Sequence, residues 1–125
     1  MRFITKRAKH SDHFAAVSVR VEKAGKSFVY SGDSSYTEEL VELCQNADVA
    51  ILEAGAAVKE YRERGARPNH LSPQEDGLIA QQAGIKTLVL AHLNDLETEE
   101  EILAAVRENF TGTVHVARDQ QTFSV

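Results

Sequence analysis

The chain has 125 residues, with 14 Lys and Arg against 19 Asp and Glu, and its formal net charge is −5. This length predicts a single domain, residues 1–125, and the acidic balance provides no global positive field for nucleic acid. The single cysteine, Cys44, excludes an internal disulfide framework. No apolar run approaches the length of a membrane span, and the basic N-terminal stretch lacks the apolar core of a signal peptide. We therefore expect a soluble cytoplasmic protein.

The first half of the chain predicts a hairpin, a helix and a buried strand. Residues 14–22 alternate apolar and polar side chains, and residues 27–31 return as a second strand after a turn. Thr37 is placed to cap a helix, because two glutamates and an apolar stripe follow it. Residues 48–53, DVAILE, form a continuous apolar run typical of a strand that is buried on both faces.

The second half predicts two further helices that alternate with strands. Residues 54–69 are small and then strongly charged, which indicates an irregular or partly helical surface segment. Ser72-Pro73-Gln74-Glu75 has the features of a helix start, and Ala83-Gly84 those of its end. The remaining predicted elements are a strand at 86–91, a helix at 98–110, and short strands at 113–117 and 122–125. This order predicts an α/β fold with one mixed sheet and three helices.

Polar side chains follow three of the predicted strands at their carboxyl ends. Asp33 follows FVYSG, Glu53 closes VAIL, and His92 follows LVLA. Ligands bind at the carboxyl ends of strands in open α/β sheets, so these side chains are expected to share one crevice. His70, in PNHLSP, directly precedes the next predicted helix. Carboxylate and imidazole groups together suit zinc or manganese.

Each of these residues also has a purely structural interpretation. Asp33 suits a turn after glycine, and Glu53 suits a strand end that faces solvent. His92 suits a backbone hydrogen bond at the end of its strand, and His70 suits a helix entry without chemistry. Taken singly, the residues leave both interpretations open, whereas their joint occurrence favours a site.

The stretch from Val17 to Val125 resembles the C-terminal half of a metallo-β-lactamase-fold hydrolase. It is most similar to the branch that contains ribonuclease Z and related phosphodiesterases. Four pieces match in the family's order, and the last resembles the family's closing hairpin: VYSGDS, AILEAGA, NHLSPQEDGLIAQQAGIKTLVLAHL and VHVARDQQTFSV. The resemblance implies half of an αββα sandwich, so one face of the sheet would be left for a second sheet.

The resemblance also implies roles for the candidate residues. Asp33 would bridge two metal ions, and His92 would be a terminal ligand. His70 would donate a proton to the leaving group, with Glu53 as its hydrogen-bonded orienter. The implied cofactor is a pair of zinc ions, with manganese or iron as alternatives. The implied reaction is phosphodiester hydrolysis, either in RNA 3′-end processing or on a small phosphodiester, because a metal pair stabilises both the attacking and the leaving oxygen.

The family's histidine-x-histidine-x-aspartate-histidine motif has no full counterpart in this chain. The AKHSDH segment at residues 8–13 has alanine where that motif begins, and an alternating strand follows it directly. We therefore interpret this segment as the lead into that strand. Within this segment, His10 is a candidate for contacting the substrate. Ser34, which follows the bridging Asp33, is a second candidate.

The predicted ligands amount to part of a site, so the isolated chain is expected to be inactive. It would be a fragment of a longer hydrolase, a half completed by another chain, or a non-catalytic half-domain that acts in assembly or regulation. An uncovered apolar sheet face marks an interface. We expect it to be covered by the missing N-terminal half, by another chain, or by a second copy in a homodimer. The expected substrate is a phosphodiester, with RNA as one option, and no membrane contact is expected.

Overall fold

The protein forms a six-stranded mixed sheet with helices on one face. The computed structural model describes Met1–Val125. The strands are β1 (Arg2–Ala8), β2 (Ala16–Lys23), β3 (Lys26–Tyr30), β4 (Val49–Glu53), β5 (Thr87–Ala91) and β6 (Thr113–Val116). The helices are α1 (Glu38–Leu43), α2 (Val58–Arg64), α3 (Pro73–Ala83) and α4 (Glu99–Arg107). None of these helices combines the length and apolar character that crossing a membrane requires.

The strands lie in the sheet in the order in which they occur in the chain. The pairs β1–β2 and β2–β3 are antiparallel, whereas β3, β4, β5 and β6 run parallel to one another. Successive right-handed connections in one direction place their helices on the same face of a sheet. Accordingly, Val29, Ala50 and Leu88 are register neighbours, and all three belong to the core beneath the helices.

The opposite face of the sheet carries large apolar side chains and no helix. Phe3 of β1, Val17 of β2 and Tyr30 of β3 stand on this open face, and between 46% and 62% of each residue is exposed. Ile51 of β4 is the register neighbour of Tyr30 on the same face. Several large apolar side chains exposed on one face of a sheet indicate an interaction site.

Local signals place the helices that frame the carboxyl ends of the strands. Thr37 caps α1, because its hydroxyl accepts a hydrogen bond from the Leu40 N–H. Ser72 and Glu75 form a reciprocal capping box at the start of α3. Gly84 ends that helix in the left-handed conformation, with φ of 66°. These three predicted boundaries are confirmed.

The predicted order of elements needs three corrections. β1 is an additional edge strand that the sequence analysis did not predict. Its three cationic side chains obscure the alternation of apolar and polar residues, and they protect the exposed edge of the sheet from pairing with another strand. The charged segment 54–69 contains α2, so the sheet carries four helices and not three. Residues 122–125 form no strand, and the closing hairpin is therefore absent. Instead, the chain turns after β6, where the Arg118 N–H donates to the side-chain oxygen of Gln121.

Candidate metal centre

The carboxyl ends of β3, β4 and β5, together with the loop before α3, bring four predicted site residues together. His92 Nδ1 lies 2.8 Å from Asp33 Oδ1, and His70 Nδ1 lies 2.9 Å from Glu53 Oε1. The ring centroids of His70 and His92 are 5.4 Å apart, so the two pairs form one cluster. The convergence of Asp33, Glu53 and His92 is the one that the strand-end pattern predicted, and His70 joins them from the loop before α3.

The backbone is left-handed at two positions of the Asp33–His92 pair, at Gly32 directly before Asp33 and at His92 itself. Gly32 has φ of 58°, and a Cβ at this position would lie 3.2 Å from the carbonyl oxygen of Val17. Glycine is therefore required immediately before Asp33. His92 itself has φ of 49°, without glycine's freedom. Such a conformation costs on the order of 1–3 kcal/mol in a non-glycine residue and is concentrated at functional sites.

Glu53 is a buried carboxylate whose two oxygens accept three hydrogen bonds. Oε1 accepts from the Ser34 N–H at 3.1 Å and from His70, while Oε2 accepts from the Gly55 N–H at 2.7 Å. Only 2% of Glu53 is exposed. A carboxylate held in this way fixes the tautomer and orientation of its histidine partner. The orienting role of Glu53 in catalysis stays a prediction, and the hydrogen bond to His70 is the contact that this role requires.

Gly55 is a positioning residue that the sequence analysis missed. A Cβ at this position would lie 3.0 Å from Glu53 Oε2 and 3.0 Å from His70 Nδ1. Contacts this close leave no room for a side chain without displacing the pair. The sequence does place a glycine two residues after Glu53, but only the folded structure brings His70 against it.

His10 lies beside Asp33 as well as near His70. Its Nε2 is 3.9 Å from Asp33 Oδ2, and its ring centroid is 5.2 Å from that of His70. Nδ1 of His10 lies 2.9 Å from the carbonyl oxygen of Asn69, to which it can only donate. This bond leaves Nε2 as the nitrogen with a free lone pair, as in metal-binding histidines. The geometry thus adds a potential ligand where the sequence predicted a contact with substrate.

Ser34 joins the segment that carries His10 to the segment that carries Asp33. Its hydroxyl accepts from the Lys9 N–H at 3.2 Å and donates to the Ser35 carbonyl at 2.9 Å, while its N–H donates to Glu53. Ser34 is fully buried. With its hydroxyl proton already used, Ser34 serves to position its neighbours, and its contact with a substrate stays a prediction.

The side chains of the cluster suit a divalent metal ion. One ligand atom each of Glu53, His70 and His92 lies within 4.8 Å of the other two. Because both oxygens of Glu53 are engaged in hydrogen bonds, the better carboxylate ligand is Asp33, whose side chain is 42% exposed next to His92. Imidazole nitrogens and a carboxylate oxygen are the donors that zinc sites use.

Two further carboxyl groups lie behind the cluster, in the first turn of α3. Burial raises the pKa of Glu75, and it raises that of the fully buried Asp76 well above the ordinary range. The negative charge of Glu53 adds to both effects. Neither oxygen of Asp76 forms a hydrogen bond. Burial without any hydrogen bond therefore favours the neutral form of Asp76 over the charged form.

The family of the chain follows from a comparison with protein-family models. The model described as "Beta-lactamase superfamily domain" matches residues 2–93. The chain therefore belongs to the β-lactamase superfamily, as its motifs indicated.

Among curated proteins, the relatives include both uncharacterized proteins and ribonucleases. An uncharacterized protein of Mycobacterium tuberculosis is 33% identical over 104 residues, which are 83% of this chain and 37% of the relative. Ribonuclease Z of Haloarcula marismortui is 32% identical over 99 residues, which are 78% of this chain and 32% of that enzyme. The chain thus spans about a third of the length of these relatives.

The solved structures establish the metallo-β-lactamase fold. YhfI from Bacillus subtilis, a metallo-β-lactamase fold protein, superposes with a TM-score of 0.82 at 24% identity, over 93% of this chain and 46% of that one. The short form of human tRNase Z gives a TM-score of 0.71 at 22% identity, over 98% of this chain and 41% of that one. Metallo-β-lactamase proteins are metal-dependent, and the cluster provides suitable donors.

Proposed function

We propose that this chain supplies part of the active site of a metal-dependent phosphodiesterase. The observation that carries the proposal is the convergence of Asp33, Glu53, His70 and His92 as two bonded pairs at one edge of the sheet. The ribonuclease Z relatives and the tRNase Z neighbour support a phosphodiester substrate, with RNA processing and small phosphodiesters as the two options.

Asp33, His92 and His10 are the residues that would hold the metal. Asp33 has two oxygens and an exposed side chain, so it can face two ions, and each histidine lies next to one of those oxygens. The donor set suits zinc first, with manganese or iron as alternatives. The bound metal would activate the phosphodiester and water near neutral pH.

His70 is the proposed proton donor to the leaving oxygen. Its Nδ1 is held by the buried Glu53, which leaves Nε2 as the nitrogen that carries the transferred proton. Glu53 keeps the imidazole in the required tautomer and stabilises its charged form. Gly55 allows this close approach, because it has no side chain to separate the pair.

We infer that the open face packs against the other half of the two-sheet fold, on the same polypeptide or on a second chain. This chain covers 46% of the YhfI structure, and Phe3, Val17 and Tyr30 present apolar surface where the remainder would lie. A closed zinc site takes about four ligands, so the other half would complete the set. Without it, we expect self-association in sedimentation experiments, and a stable monomer that binds no hydrophobic dye would contradict this inference.

A complementation assay tests the hydrolase proposal. The chain is mixed with the part of Bacillus subtilis YhfI that it does not cover, and hydrolysis of bis(p-nitrophenyl) phosphate is followed with zinc or manganese. We expect metal-dependent turnover in the mixture, a large loss with His70→Ala, and unchanged turnover with His13→Ala, a matched histidine in an exposed loop. Equal turnover with His70→Ala and His13→Ala would contradict the proposed role of His70.

A non-catalytic half-domain is the second candidate function. It is favoured by the small number of ligands that this chain supplies, and it would act in assembly or regulation. The two candidates differ in metal binding, because a metal that binds the native state raises its stability. Melting temperatures that zinc, manganese and iron leave unchanged, both for this chain alone and for its mixture with the part of YhfI that it does not cover, would favour the half-domain interpretation.

A further inference from the structure

A cationic cavity lies at the amino ends of the parallel strands, at the other end of the sheet from the candidate metal centre. It has a volume of about 510 Å³, and the five cationic side chains in its wall are Arg2, Arg20, Lys23, Lys26 and Lys86. We propose that this amino-end cavity binds a small oxyanion with two negative charges, such as inorganic phosphate. The inference goes beyond the proposed hydrolase function and does not depend on it.

The charge of the amino-end cavity is opposite in sign to that of the chain as a whole. Its five cations face only two carboxylates, Glu22 and Asp48, so the side chains of the wall have a net charge of +3. Since the whole chain has a net charge of −5, the residues outside the cavity carry −8. A cleft lined by an excess of one charge raises the local concentration of the opposite ion. The amino-end cavity therefore attracts anions, although the protein is acidic.

Two lysines of the cavity share one carboxylate. Asp48 Oδ1 lies 2.7 Å from Lys86 Nζ and 3.8 Å from Lys26 Nζ. The two ammonium groups are therefore at most 6.5 Å apart, which is the sum of these two distances. A single oxyanion can contact both, because a charge-assisted hydrogen bond spans about 2.8 Å. Asp48 balances the charge of only one lysine, so the pair keeps one positive charge for a ligand.

Arg20 presents a guanidinium that is fixed in place at the wall of the cavity. Its Nε donates to Glu22 Oε1 at 2.8 Å, and its Nη1 donates to the carbonyl oxygens of Leu43 and Gln45 at 2.9 and 2.8 Å. Only 13% of the side chain is exposed, and Nη2 donates no hydrogen bond within the chain. Glu22 is also shared, since its Oε2 lies 3.6 Å from Arg2 Nη1. A guanidinium held in this way loses little freedom when Nη2 donates to an anion.

The charge around the amino-end cavity favours a small anion over a nucleic acid. A nucleic acid in the cavity would continue across a surface whose net charge is −8, and exposed charges act over about 8 Å at physiological ionic strength. An anion with two charges can instead lie wholly among the five cations.

The length of the strands separates the amino-end cavity from the candidate metal centre. Asp48 of the cavity directly precedes β4, and Glu53 is the last residue of that strand. A strand of five residues spans about 16 Å, at about 3.3 Å per residue. An anion bound in this cavity is therefore a second ligand, separate from a phosphodiester at the metal centre.

The first test titrates the unmodified chain, without metal, with inorganic phosphate, sulfate or chloride at equal ionic strength. We expect phosphate and sulfate to raise the melting temperature above that in chloride, because a ligand of the native state stabilises it. The backbone NMR signals that shift should be those of Ser27, Asp48 and Lys86. Equal melting temperatures in the three salts, or shifts confined to other residues, would overturn the proposal.

Lysine variants localise the binding of phosphate. Lys86→Gln should lower the affinity for phosphate about tenfold, because it removes a charged donor, whereas Lys86→Arg keeps the charge and most of the affinity. Lys59→Gln is the matched control, because Lys59 is an exposed lysine of α2 that also lies 3.8 Å from a carboxylate, that of Glu63. Both glutamine variants change the net charge equally. The same phosphate affinity in Lys86→Gln and Lys59→Gln would contradict the proposal.

A single-stranded oligouridylate distinguishes a nucleic-acid contact from a site for a small anion. We expect it to bind the unmodified chain more weakly than phosphate does, because the surface around the cavity repels it. Tighter binding of the oligouridylate that is lost in Lys86→Gln would overturn the proposal of a small anion. These measurements use neither metal nor turnover, so their failure and the failure of the hydrolase assay are distinguishable.

Discussion

The two ends of the parallel strands both carry carboxylates, but their partners differ. At the amino end, Asp48 lies 2.7 Å from Lys86 Nζ, accepts a hydrogen bond from the Ser27 N–H at 2.8 Å, and faces Lys26 at 3.8 Å. The bond with Lys86, followed by that with Ser27, lowers the pKa of Asp48 to about 2. This carboxylate is already neutralised by the protein itself.

At the carboxyl end, imidazoles take the place of the lysines. Asp33 faces His92 and His10, and Glu53 faces His70. A neutral imidazole brings no permanent positive charge, so Asp33 keeps its negative charge available for a cation. The comparison teaches that the surroundings of a strand-end carboxylate, more than its presence, separate a structural ion pair from a candidate metal site.

The largest effect is expected from Glu53→Ala. The change leaves the N–H groups of Ser34 and Gly55 without their acceptor and leaves His70 without its partner. Removing one member of a buried pair costs about 3–5 kcal/mol, measured as the free energy of unfolding in urea. Asp48→Ala is the control at the other end of the strands and should cost less, because its lysine partners stay hydrated. Equal losses of unfolding free energy in Glu53→Ala and Asp48→Ala would contradict the proposed difference between the two ends of the strands.

A smaller effect is expected from Gly55→Ala. The added Cβ would lie 3.0 Å from both Glu53 and His70, and overpacking of this kind costs about 1–3 kcal/mol. The NMR signals of the His70 ring should also shift, since the pair must separate. Gly25→Ala is the control for the His70 signals only, because its Cβ meets no atom within 4 Å, whereas its φ of 75° strains alanine and lowers stability by itself. If Gly55→Ala leaves the His70 signals where Gly25→Ala leaves them, Gly55 does not position the pair.

Asp76 is a third kind of carboxyl group, because it has neither lysines nor imidazoles as partners. Its raised pKa means that the folded state binds the proton more tightly than the unfolded state. The stability it contributes is therefore complete below its ordinary pKa of 3.8 and is lost as the pH rises through the folded value. Each pKa unit corresponds to about 1.4 kcal/mol.

Asp76→Asn removes this titration and keeps the shape of the side chain. We expect the variant to gain stability relative to the unmodified chain as the pH is raised from about 4, measured by urea unfolding. A difference between the two proteins that stays constant as the pH is raised would show that Asp76 does not titrate with a raised pKa.

Much of the site was predictable because strand ends are local features. An apolar run that stops at a polar residue identifies both the strand and the residue at its tip, so Asp33, Glu53 and His92 could be placed together by the carboxyl-end rule. Their convergence needed no knowledge of loop paths. His70 was harder to place, and its position depended on the resemblance to a family.

What could not be predicted depends on contacts between distant segments. His10 reaches Asp33 because the Lys9 backbone bonds to Ser34 and Ser35, and no local pattern records that pairing. The edge strand β1 was not predicted, because its three cationic side chains obscure the alternation of apolar and polar residues. Conversely, the alternation in residues 122–125 was too short to form a strand once the preceding turn directed the chain elsewhere.

Zinc titration of three proteins tests the central claim most directly. The unmodified chain, Asp33→Asn and Asp48→Asn are compared by calorimetry at low ionic strength, since both changes replace one carboxylate with an amide at opposite ends of the strands. We predict that the unmodified chain and Asp48→Asn bind zinc equally, and that Asp33→Asn loses about tenfold or more in affinity. Equal zinc affinity in all three proteins, or a loss only in Asp48→Asn, would contradict the account.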